Sequence, residues 1–263
     1  MVQGKMSVRR SDVLRRVART YPAVCRPPVR LVADSRLSCH WLVNALLRDL
    51  GIYDTTPAYL EALDLYVPRR LVDSYRSTEP LTRQAFRHAL APGRTVVDVG
   101  ARAGSYTVVA GHALGRRGTV YAIEPDADSR RLLVRNVRHQ RLRNVIVPGM
   151  EFQTKSLDEV IPGSVDVIKI DVEGAEIEVL EGAGRLLHHE GLSLFVKWSP
   201  AGLAAAGHGG ADLPARLRSL GFAQLRVLDD GAGQERELGA VLAEVGSGLQ
   251  PASWSATLWA SRA

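Results

Sequence analysis

The feature that most restricts the fold begins at Thr95, where short runs of β-branched and aliphatic residues alternate with longer stretches of helical periodicity. The runs are residues 95–99, 119–123, 144–148, 165–170 and 192–197. The helical stretches lie near residues 104–115, 127–139, 174–187 and 212–220. This alternation is typical of a parallel sheet whose strands are joined by crossover helices. The sequence therefore predicts an α/β fold with a doubly wound, mostly parallel sheet.

The two ends of the chain depart from this alternation. Runs at residues 223–228 and 257–260 have no comparable helix between them, which predicts an antiparallel hairpin at one edge of the sheet. Before Thr95 the pattern is helical, near residues 8–21, 34–51 and 82–90, with a further helix starting at Thr56 and Pro57. We therefore predict a basic leader and α-helical extension over residues 1–94, and a ligand-binding domain over residues 95–263.

The excess positive charge lies in the first of these parts. Residues 1–94 contain 16 Lys and Arg against 8 Asp and Glu, whereas residues 95–263 contain 18 against 20. Such a leader can meet a polyanion, a membrane surface or an acidic partner, although a solvated leader is the simpler interpretation. No apolar run approaches the roughly 18–20 residues that cross a bilayer, and residues 1–19 lack the apolar segment of a secretory signal. The expected location is the cytoplasm.

The first predicted strand ends in residues suited to holding a ligand. Asp98 stands near its carboxyl end, and Gly100 and Gly104 follow with a spacing of four before the next helix. Glycines let the backbone approach a ligand closely, and a helix N-terminus offers unpaired N–H groups. The G-x-x-x-G spacing differs from the G-x-G-x-x-G turn that binds a dinucleotide pyrophosphate, and the Gly-Lys-Ser/Thr of a phosphate-binding loop is missing.

The second strand ends at Glu124, which follows Gly100 by 24 residues. An acid at this place can accept hydrogen bonds from both hydroxyl groups of a ribose. Glu124 therefore indicates a nucleoside-containing cofactor. Because the turn for a pyrophosphate is missing, S-adenosylmethionine fits better than a nicotinamide dinucleotide, and Asp98 would then lie near its methionine end.

The fourth strand leads into the most distinctive string, Lys-Ile-Asp-Val-Glu-Gly-Ala-Glu at residues 169–176. With residues 98–107, 123–125, 136, 144–145 and 156–158, this string resembles FkbM-type methyltransferases in order and approximate spacing. The similarity covers roughly residues 95–197. It implies a class I (Rossmann-like) methyltransferase fold, S-adenosylmethionine as the cofactor, and methylation of a hydroxyl group on a small molecule such as a secondary metabolite or sugar.

The strand ends and the resemblance together indicate which residues form the site. The residues expected to contact the cofactor are Asp98, Gly100, Ala101, Gly104, Tyr106, Glu124, Met150 and Asp171. For the catalytic group, we expect Asp171 to act as a base or to orient the acceptor, with Glu173 as the second candidate. His208 is the third, because it lies in a Gly/Ala-rich stretch that is predicted to form a mobile lid. Two close carboxylates also suit Mg²⁺, but no third carboxylate is clearly placed, so no metal is expected.

Two departures from the family keep other functions open. Only eight residues separate Val147 from Ser156, where the family has a longer segment, and Lys197 ends the fifth strand where glutamate is frequent. A lysine there suits an acidic acceptor, or a domain that binds a ligand without turning it over. A nucleic-acid methyltransferase is the other alternative, prompted by the basic leader. Because the fourth strand lacks the Asn/Asp-Pro-Pro-Tyr/Phe motif of base methylation, no nucleic acid is expected as a partner.

Overall fold

The computed structural model describes residues 57–60, 65–68, 79–149 and 155–262. The chain divides into a unit of residues Met1–Thr56 and a unit of residues Pro57–Ala263, and every described residue lies in the second. The helices predicted near residues 8–21 and 34–51 are outside the described residues. The domain boundary between residues 94 and 95 stays a prediction. No helix in the described part of the chain is long and apolar enough to cross a membrane.

Ten strands and nine α-helices are formed by the described residues, with a 3-10 turn at Gly115–Arg117. The strands are β1 Pro57–Leu60, β2 Leu65–Pro68, β3 Thr95–Val99, β4 Thr119–Ile123, β5 Val145–Ile146, β6 Val167–Ile170, β7 Ser193–Trp198, β8 Gln224–Asp229, β9 Gln234–Arg236 and β10 Ala256–Ser261. The helices are α1 Pro80–His88, α2 Ser105–Leu114, α3 Ala127–His139, α4 Leu157–Val160, α5 Glu176–Glu181, α6 Gly184–Leu187, α7 Pro200–Ala205, α8 Asp212–Ser219 and α9 Leu238–Gly246.

Eight of these strands form one sheet in the order β5-β4-β3-β6-β7-β10-β8-β9. The five strands from β5 to β7 are parallel, and β10, β8 and β9 extend the sheet in antiparallel fashion. All residues of β6 are buried, as are four of the five residues of β3, because helices cover both faces of a parallel sheet. The predicted class I sheet, mostly parallel with an antiparallel end, is confirmed.

The region between β8 and β10 differs from the prediction, because it contains the nine-residue helix α9. Small residues and the glycines at 239 and 246 hide its helical period. Glu237 nevertheless caps its N-terminus, since its carboxylate accepts the backbone N–H groups of Gly239 at 2.8 Å and Ala240 at 2.6 Å. Leu238 and Val241 bury one face of the helix.

The helix predicted to start at Thr56 and Pro57 is wrong, because β1 and β2 form a two-stranded antiparallel ribbon there. The buried side chain of Asn136 on α3 fixes this ribbon. Its Oδ1 accepts the backbone N–H of Tyr66 at 2.8 Å, and its Nδ2 donates to the carbonyl oxygen of Tyr66 at 2.7 Å. Leu65 and Val67, two positions apart, are both buried. Contacts with α3 therefore override the local helical pattern.

Candidate active site

A cleft of about 920 Å³ lies at the carboxyl ends of β3, β6 and β7. The strand order reverses between β3 and β6, and ligands bind at such a switch point in open α/β sheets. Of the predicted site residues, the cleft is lined by Asp98, Gly100, Ala101, Tyr106, Asp171 and Glu173. The structure thus brings together side chains from the first and fourth parallel strands of the sequence, as the shared edge of parallel strands requires.

Gly100 lies where the turn after β3 meets the end of β6. Its φ angle is +76°, and a Cβ atom at this position would be 2.0 Å from the backbone oxygen of Asp171. Gly104, at the start of α2, has a φ angle of +92° and would place a Cβ atom 2.6 Å from Cδ1 of Leu133. Both glycines are therefore required by the packing of the turn that forms one wall of the cleft.

We expect Gly100→Ala to lower the free energy of unfolding by roughly 2–5 kcal/mol, since left-handed strain and overpacking add. The matched control is Gly93→Ala, because Gly93 has a φ angle of +86° but nothing within 4 Å of the added Cβ atom. Gly93→Ala is expected to lower the free energy of unfolding by the backbone strain alone, about 1–2 kcal/mol. Urea unfolding of both variants measures the difference, and equal losses would contradict the contact with Asp171.

Asp98 is buried at the end of β3, where its Oδ2 accepts the hydroxyl group of Thr107 at 2.6 Å. Burial raises the pKa of Asp98, and the nearby Lys169 opposes that rise. The carboxyl group lines the cleft next to Gly100. Its position suits the cationic end of a ligand held by the turn after β3.

Glu124 follows β4 and is 8% exposed. Its Oε2 accepts the backbone N–H of Arg102 at 2.7 Å, and its Oε1 accepts that of Asp126 at 2.8 Å. Burial raises the pKa of Glu124, and these two hydrogen bonds lower it. A carboxylate oxygen has about two acceptor positions, so each oxygen keeps one for a hydroxyl group. This donor and acceptor arrangement fits the two hydroxyl groups of a ribose.

Lys169 and Asp171 form an ion pair at the end of β6, with Nζ and Oδ2 separated by 3.1 Å. Burial alone would raise the pKa of Asp171, but Lys169, Lys197 and Arg102 hold it below its usual value. Burial alone would lower the pKa of Lys169, but Asp171, Asp98 and Glu79 raise it. Both groups are therefore charged at neutral pH. Lys169 begins the distinctive string, but its place in the sequence indicates no role for it.

Lys197 does not present an unpaired charge to the cleft, because its Nζ lies 2.6 Å from Oε1 of Glu79. The other oxygen of Glu79 accepts the hydroxyl group of Tyr106 at 2.7 Å. Burial alone would raise the pKa of Glu79, but Lys197 and Lys169 lower it. Glu79 was missed in the sequence because it precedes α1, 118 residues from Lys197, and stands in no motif. The lysine that replaces the frequent glutamate is thus neutralised by an acid from another element.

Glu173 lies at the mouth of the cleft, where its side chain is 74% exposed and forms an ion pair with Arg102. His208 is not among the residues that line the cleft. Its Nε2 is 3.0 Å from Oε1 of Glu178, and this hydrogen bond raises the pKa of His208. Of the three candidate catalytic residues, Asp171 and Glu173 line the cleft and His208 does not.

The remaining predicted residues are Gly104, Glu124, Met150 and the stretch predicted as a lid. Gly104 and Glu124 do not line the cleft, although Arg102, whose N–H group binds Glu124, does. Met150 lies outside the described residues. The stretch predicted as a lid contains the helix α7, and Gly202 of that helix lines the cleft. Within the described residues, no three His, Cys, Asp or Glu side chains are grouped to hold a metal ion.

Comparisons with known proteins give a curated relative and a solved structure of similar fold. The curated protein named probable cobalt-precorrin-6B C(15)-methyltransferase (decarboxylating), from Sulfurisphaera tokodaii, is 33% identical over 118 residues. The aligned segment covers 43% of this chain and 60% of that protein, so the chain spans less than two thirds of its length. The crystal structure of M. jannaschii TYW2 in complex with AdoMet is 14% identical, with a TM-score of 0.50 over 79% of this chain and 86% of that one. This likeness concerns the fold.

Residues 136–192 match the model of the methyltransferase FkbM domain. The matched segment runs from Asn136 on α3 to Leu192, just before β7, and includes the ion pair of Lys169 and Asp171. The match confirms, over this segment, the resemblance to FkbM-type methyltransferases that the sequence predicts, and it supports S-adenosylmethionine as the cofactor.

Proposed function

We propose that this protein transfers the methyl group of S-adenosylmethionine to a hydroxyl group of a small molecule. The observation that carries the proposal is the ionised Asp171, held by Lys169 in a cleft whose other wall is the glycine-containing turn after β3. The cofactor, when bound, supplies an activated methyl group on a cationic sulfur. The chain's own residues then have to hold the acceptor's hydroxyl oxygen in line with that methyl group and take up the proton that the hydroxyl group loses.

Asp171 has the charge and position for meeting the acceptor. Its carboxylate lines the cleft, and its lowered pKa keeps it ionised, so it can accept a hydrogen bond from a hydroxyl group. A carboxylate with a lowered pKa is a weak base. Its first task is therefore to orient the hydroxyl oxygen, and it takes the proton only as the new bond forms. Lys169 fixes the carboxylate in place and keeps it charged.

The charges of the cleft favour a small acceptor over a nucleic acid. A phosphate backbone is bound by several cations that are free to contact it. Four basic side chains line the cleft, and three of them form ion pairs with acids: Lys169 with Asp171, Lys197 with Glu79, and Arg102 with Glu173. We also propose that the acceptor is a hydroxyl-bearing small molecule and that the protein is located in the cytoplasm.

Calorimetry with S-adenosylmethionine and S-adenosylhomocysteine tests the cofactor half of the proposal. We expect dissociation constants in the micromolar range, about −8 kcal/mol, and no comparable binding of NADH. Tight NADH binding in place of both ligands would contradict the proposal.

Transfer of a labelled methyl group to a panel of hydroxyl compounds tests the acceptor half, and NMR of the product locates the new methyl group. Methylation at carbon, which the name of the S. tokodaii relative states for that protein, would contradict a hydroxyl acceptor. Cofactor binding without any turnover on that panel would favour the non-catalytic alternative.

A further inference from the structure

Arg83 is a cation of the cleft that differs from the other three. It lies in the first turns of α1, and its side chain is half-buried and lines the cleft. The other three basic side chains of the cleft each have an acidic partner, whereas the described residues offer Arg83 neither an ion pair nor an acceptor for its Nε–H group. That Nε atom is buried, and a buried donor without an acceptor calls for an explanation.

The guanidinium group of Arg83 is held next to Tyr106. Its Cζ atom is 5.1 Å from the centre of the Tyr106 ring, and Nζ of Lys169 is 4.4 Å from the same ring. Contact with an aromatic face restricts a guanidinium group but leaves the N–H groups at its edge for other partners. The ring itself lines the cleft, so Arg83 is positioned at the cleft by contacts that use none of its donors.

Glu79 and Asp230, the two acids that line the cleft beside α1, are already engaged. Glu79 accepts Lys197 and Tyr106. Asp230 accepts the backbone N–H groups of Leu81 and Thr82 with one oxygen, and the hydroxyl group of Thr82 with the other at 2.6 Å. Asp230 thereby caps the N-terminus of α1, where its charge is favourable. Neither acid supplies the partner that the Nε atom of Arg83 lacks.

We propose that Arg83 binds an oxyanion group of the methyl acceptor, a carboxylate or a phosphate, so that the substrate class is anionic hydroxyl compounds. This inference rests on the proposed function, because it gives a charge to the acceptor of that same cleft. The planar guanidinium group matches the two oxygens of either anion through paired hydrogen bonds. An oxyanion at Arg83 would satisfy the buried Nε donor and would anchor the acceptor between α1 and the ends of β6 and β7.

NMR titration of the Arg83 Nε–Hε resonance tests the proposal directly. The probes are acetate and inorganic phosphate, added to the full chain with and without S-adenosylhomocysteine, and Arg83→Lys assigns the resonance by its loss. Arg87 is the matched control, because it is an exposed arginine one helical turn later on α1. We expect the Arg83 shift to saturate with an apparent Kd at least tenfold below that of Arg87 for one of the probes. The anion that binds more tightly identifies the group.

Arg83 shifts that follow those of Arg87 with both anions would overturn the proposal. As a second measurement, the anion-induced rise in Tm is expected to disappear in Arg83→Met and to persist in Arg87→Met. A rise that persists in a folded Arg83→Met would also overturn the proposal. Calorimetry with S-adenosylmethionine on the same samples separates the two claims. Absence of S-adenosylmethionine binding would contradict the proposed function, whereas the anion titration reports on Arg83 alone.

Discussion

Replacing Glu124 with alanine is expected to weaken S-adenosylmethionine binding by roughly 10–150-fold, which corresponds to about 1.5–3 kcal/mol. The reason is that both oxygens of this carboxylate are oriented by backbone N–H groups and each keeps an acceptor position for a ribose hydroxyl. Hydrogen bonds to a charged acceptor are stronger than those to a neutral one. Calorimetry with the cofactor measures the loss.

Two further variants make this result interpretable. Asp128→Ala removes an exposed acid four residues later, paired with Arg131 on α3, and is expected to leave the affinity within twofold. Glu124→Gln keeps the size of the side chain but turns an NH₂ group toward a backbone donor, so its affinity is expected to fall as well. Thermal unfolding confirms that each variant is folded. A folded Glu124→Ala and a folded Glu124→Gln with normal affinity would remove Glu124 from the cofactor site.

The central sheet could be predicted because the residue patterns that its strands and helices require lie within short segments of the sequence. A strand buried on both faces needs a run of mostly apolar residues, and β3 and β6 have such runs apart from Asp98 and Lys169. Crossover helices supply the second pattern. The ribbon of β1 and β2 carries no such signal, since its stability comes from Asn136, 70 residues after Tyr66. The helix α9 was missed because its glycines and alanines conceal the helical period.

The candidate site was predictable to the same extent and for the same reason. Asp98 lies near the end of β3, Gly100 and Asp171 directly follow β3 and β6, and the carboxyl ends of these parallel strands share one edge of the sheet. Glu79 and Arg83 belong to an element outside this alternation, so nothing in their spacing indicates that they reach the cleft. The prediction about Lys197 shows the limit most clearly. The sequence shows that Lys197 carries a positive charge, but the pairing of Lys197 with Glu79 depends on the docking of α1.

Asp171→Asn is expected to reduce turnover by roughly 10²–10⁴-fold, with any acceptor that the wild type methylates, while cofactor affinity changes by no more than a few-fold. The amide cannot take up a proton, and it orients a hydroxyl group less strongly than a carboxylate does. The substitution also leaves Lys169 with only Asp98 and Glu79 as nearby acids. We therefore expect a loss of about 1–3 kcal/mol in the free energy of unfolding at pH 7.

The pH dependence of that stability loss checks its electrostatic origin. Because the pKa of Asp171 is lowered in the folded state, its ion pair stabilises the fold above the unfolded value of about 3.9. The stabilisation disappears as the pH falls through the folded value. The difference between wild type and Asp171→Asn should thus be full at pH 7 and shrink below about pH 4. Urea unfolding at several pH values measures it.

His208→Ala is the control for the assignment of the proton acceptor. Since His208 is paired with Glu178 and does not line the cleft, we expect its removal to leave turnover within a few-fold of the wild type. A histidine base with a raised pKa would also make the rate fall as the pH drops through neutrality, whereas an ionised Asp171 would not. Normal turnover in Asp171→Asn, together with a loss in His208→Ala, would move the proton acceptor to the connection between α7 and α8.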